Sequence, residues 1–216
     1  MDDPLYCLSI EEVTHFFSSA NLSFEPTQVA YCSLHNSTID GQKICEIPVN
    51  SSLKNLDSSC ERLLGTLLIQ SGDEEFVEKL RNVTWIYGKV LIQDTNLTSI
   101  DFFDNLQYVL SMTNVKPSIV ILRNQYLSNA TFPNLTKIYP AFEKSIVFLE
   151  NHESLVQDPS FCWEIRKFLD VQIHIPMVNG KPCEEIQKEY DLKIGSSSGK
   201  GLSILIIVLL TLISEF

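Results

Sequence analysis

Leu63-x-Gly65-x-Leu67-x-Ile69 is the stretch whose reading decides the fold. Its pattern returns 23 residues later as Ile86-x-Gly88-x-Val90-x-Ile92. It comes again 29 residues on as Val115-x-Pro117-x-Ile119-x-Ile121, and after another 27 as Phe142-x-Lys144-x-Ile146-x-Phe148. Period-two alternation marks a strand with one buried face. The intervening residues Leu68, Leu91, Val120 and Val147 are apolar as well. That double-sided character fits parallel neighbours in a sheet better than an isolated hairpin.

Between these strands the apolar period changes to three. Val77, Leu80, Val83 and Ile86 follow the first strand; Leu97, Ile100, Phe103, Leu106 and Val109 follow the second; Phe132, Leu135 and Ile138 follow the third. Three is not the α-helical period, so these segments make poor amphipathic helices, which disfavours an α/β domain with crossover helices. Tight corners that keep returning an apolar side chain to a shared interior suit the spacing. One coil of about 25 residues cannot bury its own face, whereas stacked coils can. The expected fold is mainly β: a short right-handed parallel β-solenoid.

A second repeat works at longer range. Asp3-Pro4, Tyr6, Cys7 and Ile10 parallel Asp158-Pro159, Phe161, Cys162 and Ile165, and each set leads into an amphipathic helical turn. Ile10, Val13 and Phe17 share one helical face, as do Ile165, Phe168 and Leu169. A further cysteine follows each, Cys32 and Cys183. Six cysteines allow fifteen pairings, but equivalent elements should carry equivalent bridges. The repeat therefore predicts Cys7–Cys32 and Cys162–Cys183, leaving Cys45–Cys60, with helical caps tied down by disulfides. It also makes residues 1–44 the C-terminal cap of a preceding domain plus a linker, 45–190 the main domain, and 191–216 a small-residue linker with an apolar tail.

Composition narrows the function. The 216 residues carry a formal net charge of −11 with no Lys/Arg run, so the basic footprint of a nucleic-acid binder is missing. Even cysteine numbers without zinc spacing point to an oxidising compartment and to no metal or other cofactor. Seven N-x-S/T triplets stand at Asn21, Asn36, Asn50, Asn82, Asn96, Asn129 and Asn134. This composition predicts about two by chance, so the excess favours N-glycosylation.

The opening residues have neither a basic n-region nor an apolar h-region, so a secreted reading places the native start, with its signal peptide, upstream. At the other end Ser196-Ser197-Ser198-Gly199 precedes an apolar run from Leu202 to Ile213. Small residues before an apolar C-terminus resemble a GPI signal with attachment at Ser196, although the spacer is shorter than usual. A short membrane span and a soluble tail are the alternatives.

The Cys60-to-Gly65 approach, the Gly-x-Leu/Val-x-Ile strands, the three-period linkers and the closing Asp-Pro-x-aromatic-Cys together resemble the receptor L domain, the ligand-binding lobe of insulin and epidermal-growth-factor receptors. The fit is closest to the kinase-less L-domain proteins expanded in nematodes. It covers residues 45–183, with 1–32 as the tail of another copy. The resemblance implies a parallel β-helix capped by helix and disulfide that presents a sheet face to polypeptide ligands. No furin-like cysteine-rich segment or kinase is present in the chain.

Motifs for catalysis are scarce: G-x-S-x-G, H-E-x-x-H, the P-loop and G-x-G-x-x-G are all missing. His152 with Glu153, and Asp101 with Asp104, can be read as acid–base pairs, yet turns of a solenoid carry such residues routinely. Trp85 and Trp163 read as core or cap residues. The expectation is a non-catalytic, extracellular binding module, cell-surface or secreted. It would recognise a peptide or protein ligand, insulin- or EGF-like in kind, as co-receptor, decoy or modulator, through the outward set Leu68, Leu91, Val120 and Val147. The competing expectation is a structural surface glycoprotein with no specific soluble ligand.

Overall fold

The computed structural model describes residues 7–18, 30–49, 51–111, 117–139, 145–168 and 176–196. The N-terminal segment contributes β1 (Cys7–Leu8), α1 (Ile10–Ser18) and β2 (Ala30–Tyr31). Strands β3 (Thr38–Ile39), β4 (Gln42–Glu46), β5 (Arg62–Leu64), β6 (Leu67–Ile69), β7 (Trp85–Tyr87) and β8 (Val90–Gln93) follow. The series continues with β9 (Tyr108–Leu110), β10 (Ile119–Leu122), β11 (Lys137–Tyr139), β12 (Ile146–Leu149) and β13 (Met177–Val178). Helices α2 (Ser154–Gln157) and α3 (Ser160–Phe168) precede β13, and a last helix covers 183–196.

From β4 onward the chain alternates between two sheets. One has the order β11-β9-β7-β5-β4-β3 and the other β13-β12-β10-β8-β6. Every pairing is parallel except β3 with β4. A third side joins the five-stranded sheet back to the six-stranded one. It carries 3-10 turns at Leu53–Asn55, Glu74–Leu80 and Asp101–Phe103. The three-residue apolar period is the period of that helix type, and it brings Val77, Leu80, Val83, Ile100, Phe103 and Leu106 into the common core.

The first two alternating stretches, each expected to form one strand, prove to be two strands apiece. Between Leu64 and Leu67 the chain turns from one sheet into the other, and it does so again between Tyr87 and Val90. Glycine permits the corner. Gly65 has φ +124°, in a region that side chains avoid, and a β-carbon on Gly88 would lie 1.9 Å from the carbonyl oxygen of Gly65. Period two survives the bend because Leu63 and Leu67 both face the shared interior, fully buried. Val115, Phe142 and Lys144, the leading residues of the other two stretches, lie outside the described residues, and so do Leu169, the sequons Asn21 and Asn50, and the C-terminal apolar tail.

In-register stacking fills the interior with columns of like side chains. Leu67, Val90, Ile119 and Ile146 make one; Ile69, Ile92, Ile121 and Phe148 make the next. All eight are fully buried, and each contributes about 1.5–3 kcal/mol of transfer free energy. The coil ends are closed with disulfides: Cys45–Cys60 beside the first turn, and Cys162–Cys183 between α3 and the last helix. Phe161 and Ile165 of α3 join the interior cluster.

The N-terminal segment lies elsewhere. Cys7–Cys32 ties β1 to β2, and α1 lies across the outer face of the six-stranded sheet. Ile10, Val13 and Phe17 pack there against Leu64, Trp85, Tyr87, Leu110 and Tyr139. Strand β4 runs across position 44/45, and the last helix across 190/191.

Candidate binding face

The two sheets present different outer faces. The six-stranded face is aromatic and is covered by the chain itself. Trp85 stacks on Tyr108 at 3.7 Å between ring centroids, and Arg62 lies 5.1 Å over the Trp85 ring. Arg62 is buried yet fully engaged: Nε donates to Gln42, Nη1 to Thr14 and the Tyr87 hydroxyl, and Nη2 to Asp40. A buried cation is tolerated only with such partners. Burial pushes the Tyr87 and Tyr139 hydroxyls above the ordinary tyrosine value. Nothing in the sequence announced Arg62; it is a lone basic residue at a strand start.

The five-stranded face bears a different surface. Parallel register places Leu68, Leu91, Val120 and Val147 side by side on β6, β8, β10 and β12, and Met177 of β13 extends the line. All five are half-buried, although they sit on the outward face. Two residues along each strand, Gln93, Leu122 and Leu149 form a second, parallel row. Leu122 and Leu149 could have been read by carrying the alternation one step further. Met177 could not, because its two-residue strand follows the cap. Lys89, of the same parity as Leu91, borders the first row, and burial lowers its ammonium from the ordinary lysine value.

The far margin of this face is a corner built for rigidity. Asp94, Arg123 and Glu150 stack there with positive φ, and Arg123 grips Asp94 through two 2.7 Å contacts. That hydrogen-bonded pairing lowers the Asp94 carboxyl and raises the Arg123 guanidinium. Beneath it runs an amide ladder. Asn124, with no solvent exposure, donates to the Ile92 carbonyl and to Asn151 Oδ1, and accepts from the Thr95 amide and hydroxyl. Asn151 in turn donates to the Ile121 carbonyl.

The described sequons lie off this face. Asn36, Asn82, Asn96, Asn129 and Asn134 are all exposed, and none falls on a strand of the five-stranded sheet. Asn134 Nδ2 donates to the Asp104 carbonyl, and Asn36 Nδ2 to Glu11. Ser196 is exposed at the end of the last helix, its hydroxyl bonded to the Lys193 carbonyl.

Catalytic geometry does not assemble among the described residues. His152 Nδ1 is 2.8 Å from Ser154 Oγ and also accepts the Ser154 amide, so it organises the turn that starts α2. Asp101 accepts from Ser99. Trp85 is a packed residue, whereas Trp163 is 36% exposed on α3, bonded to Gln187 with Arg166 over its ring. No group of three metal-ligating side chains occurs among the described residues, and no described helix is long and apolar enough to cross a membrane.

The sequence profile of the receptor L domain matches residues 59–167, half of the chain. The chain belongs to the receptor L domain family. No curated protein sequence gives a match. The matched span runs from just before Cys60 to the end of α3, so it contains most of the coil and the four aligned residues. A receptor L domain is a ligand-binding module, not a catalytic one. Three disulfides and this family membership together suggest an extracellular setting.

Proposed function

We propose that this receptor L domain is an extracellular binding module, a co-receptor, decoy or modulator that takes a peptide or protein ligand of insulin- or EGF-like kind on its five-stranded sheet. The observation that carries the reading is the row Leu68–Leu91–Val120–Val147–Met177: five apolar side chains in register on a face with no sequon on its strands. A continuous apolar strip rimmed by polar residues marks an interaction surface. The opposite sheet face is already occupied by α1.

In this reading the coil is right-handed, as parallel crossovers in one sheet nearly always are. Sugars at the described sequons stand off the strands of this sheet and leave the strip bare. The C-terminal segment anchors the chain to the cell surface, with Ser196 as the GPI attachment point.

A panel of secreted and ectodomain polypeptides, presented to the glycosylated protein and to its Val120→Arg variant, tests this. Saturable capture of one polypeptide, weakened at least tenfold by Val120→Arg, is the expected result. Capture that ignores the substitution overturns the sheet-face reading, and no capture at micromolar concentration favours a structural glycoprotein instead.

A further inference from the structure

The three disulfides are not equally placed. Cys60, Cys162 and Cys183 have no solvent exposure, and Cys45 is half-buried beside the first turn. Cys7, by contrast, is exposed, and its partner Cys32 is half-buried. Thiol–disulfide exchange requires a thiolate to reach a disulfide sulfur. Access therefore orders the three bonds: Cys7–Cys32 opens first, Cys45–Cys60 next and Cys162–Cys183 last.

What Cys7–Cys32 ties together is the strap over the aromatic face. Strands β1 and β2 pair through two residues each, and with no other described strand. So short an isolated pair is marginal in water. The nine residues of α1 are likewise too few for a helix to persist undocked. Both elements depend on the sheet beneath them. Leu8 of β1 and Tyr31 of β2 pack into the cluster that holds Ile10, Val13 and Phe17, and the Tyr31 hydroxyl donates to the Leu110 carbonyl. Two cations of the coil fasten the helix: Arg62 Nη1 donates to the Thr14 hydroxyl, and Lys137 Nζ to the Phe17 carbonyl at 3.1 Å.

We propose that Cys7–Cys32 is a redox latch: its reduction by a dithiol frees the strap and bares the face that carries Trp85, Tyr87, Leu110 and Tyr139. One thiolate of the dithiol attacks Cys7 Sγ, forms a mixed disulfide and expels the Cys32 thiolate. The second thiolate then attacks the reductant's own sulfur in that mixed bond and expels Cys7. Two electrons and two protons pass to the cysteines, and the reductant ends as a disulfide. The coil keeps its shape, because Cys45–Cys60 and Cys162–Cys183 close its ends and its interior cluster contains no strap residue. Lifting α1 takes Thr14 away from Arg62 and from the Tyr87 hydroxyl, and it opens Trp85, only 5% exposed under the strap, to solvent. The latch acts on the sheet opposite the apolar strip and does not depend on the strip's binding role.

The test follows the full chain in detergent micelles under graded dithiothreitol without denaturant, with alkylation and peptide mapping at intervals. Trp163→Phe leaves Trp85 as the one tryptophan to report on the face. Cys7 and Cys32 should be alkylated at least tenfold faster than any other cysteine. Acrylamide quenching of Trp85 should rise several-fold in step with that alkylation, and samples reoxidised instead of alkylated should return to the starting value. Replacing both residues, Cys7→Ser with Cys32→Ser, should raise the quenching with no reductant present. Alkylation of Cys45 and Cys60 as fast as that of Cys7 and Cys32 overturns the proposal. So does opening of Cys7–Cys32 with Trp85 quenching unchanged, a result the time course on the cysteine-intact chain delivers by itself.

Discussion

Gly88 lies directly against Gly65, so close that any β-carbon on the first would sit 1.9 Å from the carbonyl oxygen of the second. The contact is backbone on backbone, so no side chain can yield to relieve it. Gly88→Ala should therefore force the two coils apart at the corner where each passes from one sheet to the other. A loss of about 3 kcal/mol or more is expected, at the severe end of overpacking. Urea denaturation followed by circular dichroism measures it. A midpoint unchanged by Gly88→Ala would mean that the corner is not packed as described.

Asn124 supports the opposite corner. Its side chain serves the Ile92 carbonyl, Asn151, and both the amide and hydroxyl of Thr95. Asn124→Ala strands these groups in a place without solvent, and each orphan costs about 1–3 kcal/mol. The expected total is about 3 kcal/mol, with accelerated amide exchange at Thr95 as the local signature. Asn124→Asp should not rescue it, because a carboxylate cannot donate to the Ile92 carbonyl.

Phe17 is the deep end of the cover over the aromatic face, 4.8 Å from the Tyr139 ring. Phe17→Ala should cost about 3 kcal/mol, as large-to-small changes at buried aromatic sites do. The emission of Trp85, only 5% exposed, should shift to the red as α1 loosens, while that of Trp163, already 36% exposed, stays where it is. Unchanged emission together with unchanged stability would show that α1 contributes little to holding this face.

Alkaline stability follows from the same face. Burial raises Tyr87 above its ordinary value of 10.0, and Tyr139 likewise. Since the folded protein holds these protons more tightly than the unfolded chain, stability is fully present below pH 10.0 and is lost as pH rises through the folded-state values. Urea midpoints between pH 8 and pH 11 should be flat and then fall. Tyr87→Phe should make the fall shallower, at the expense of the hydroxyl's bonds to Thr14 and Arg62.

Much of the coil was legible because stacking imposes local periods on the chain. Leu67, Ile69, Val90 and Ile92 alternate because each strand has one inward face. Val77, Leu80 and Val83 recur at three because the third side is built from 3-10 turns. Leu68, Leu91, Val120 and Val147 were readable as one set because the repeat itself aligns them. What the period could not convey is the bend: Leu63 to Ile69 alternates without a break while crossing from one sheet to the other, since both faces look into the same core. Gly65 carries the signal, but a glycine inside a strand pattern is compatible with a bulge or a close approach as readily as with a corner.

By itself the chain's order of residues determined the repeat, the apolar columns and the row on the outer sheet, all consequences of side-chain parity along short segments. Tertiary structure alone decided that α1 covers the aromatic face, that Arg62 finds four partners beneath it, and that Val49 stands 91% exposed outside the core. Those three depend on contacts between residues 20 or more positions apart, or on the path of a loop that has no period to read. Free energy at such places is set by what meets across the fold, and local pattern holds no record of it.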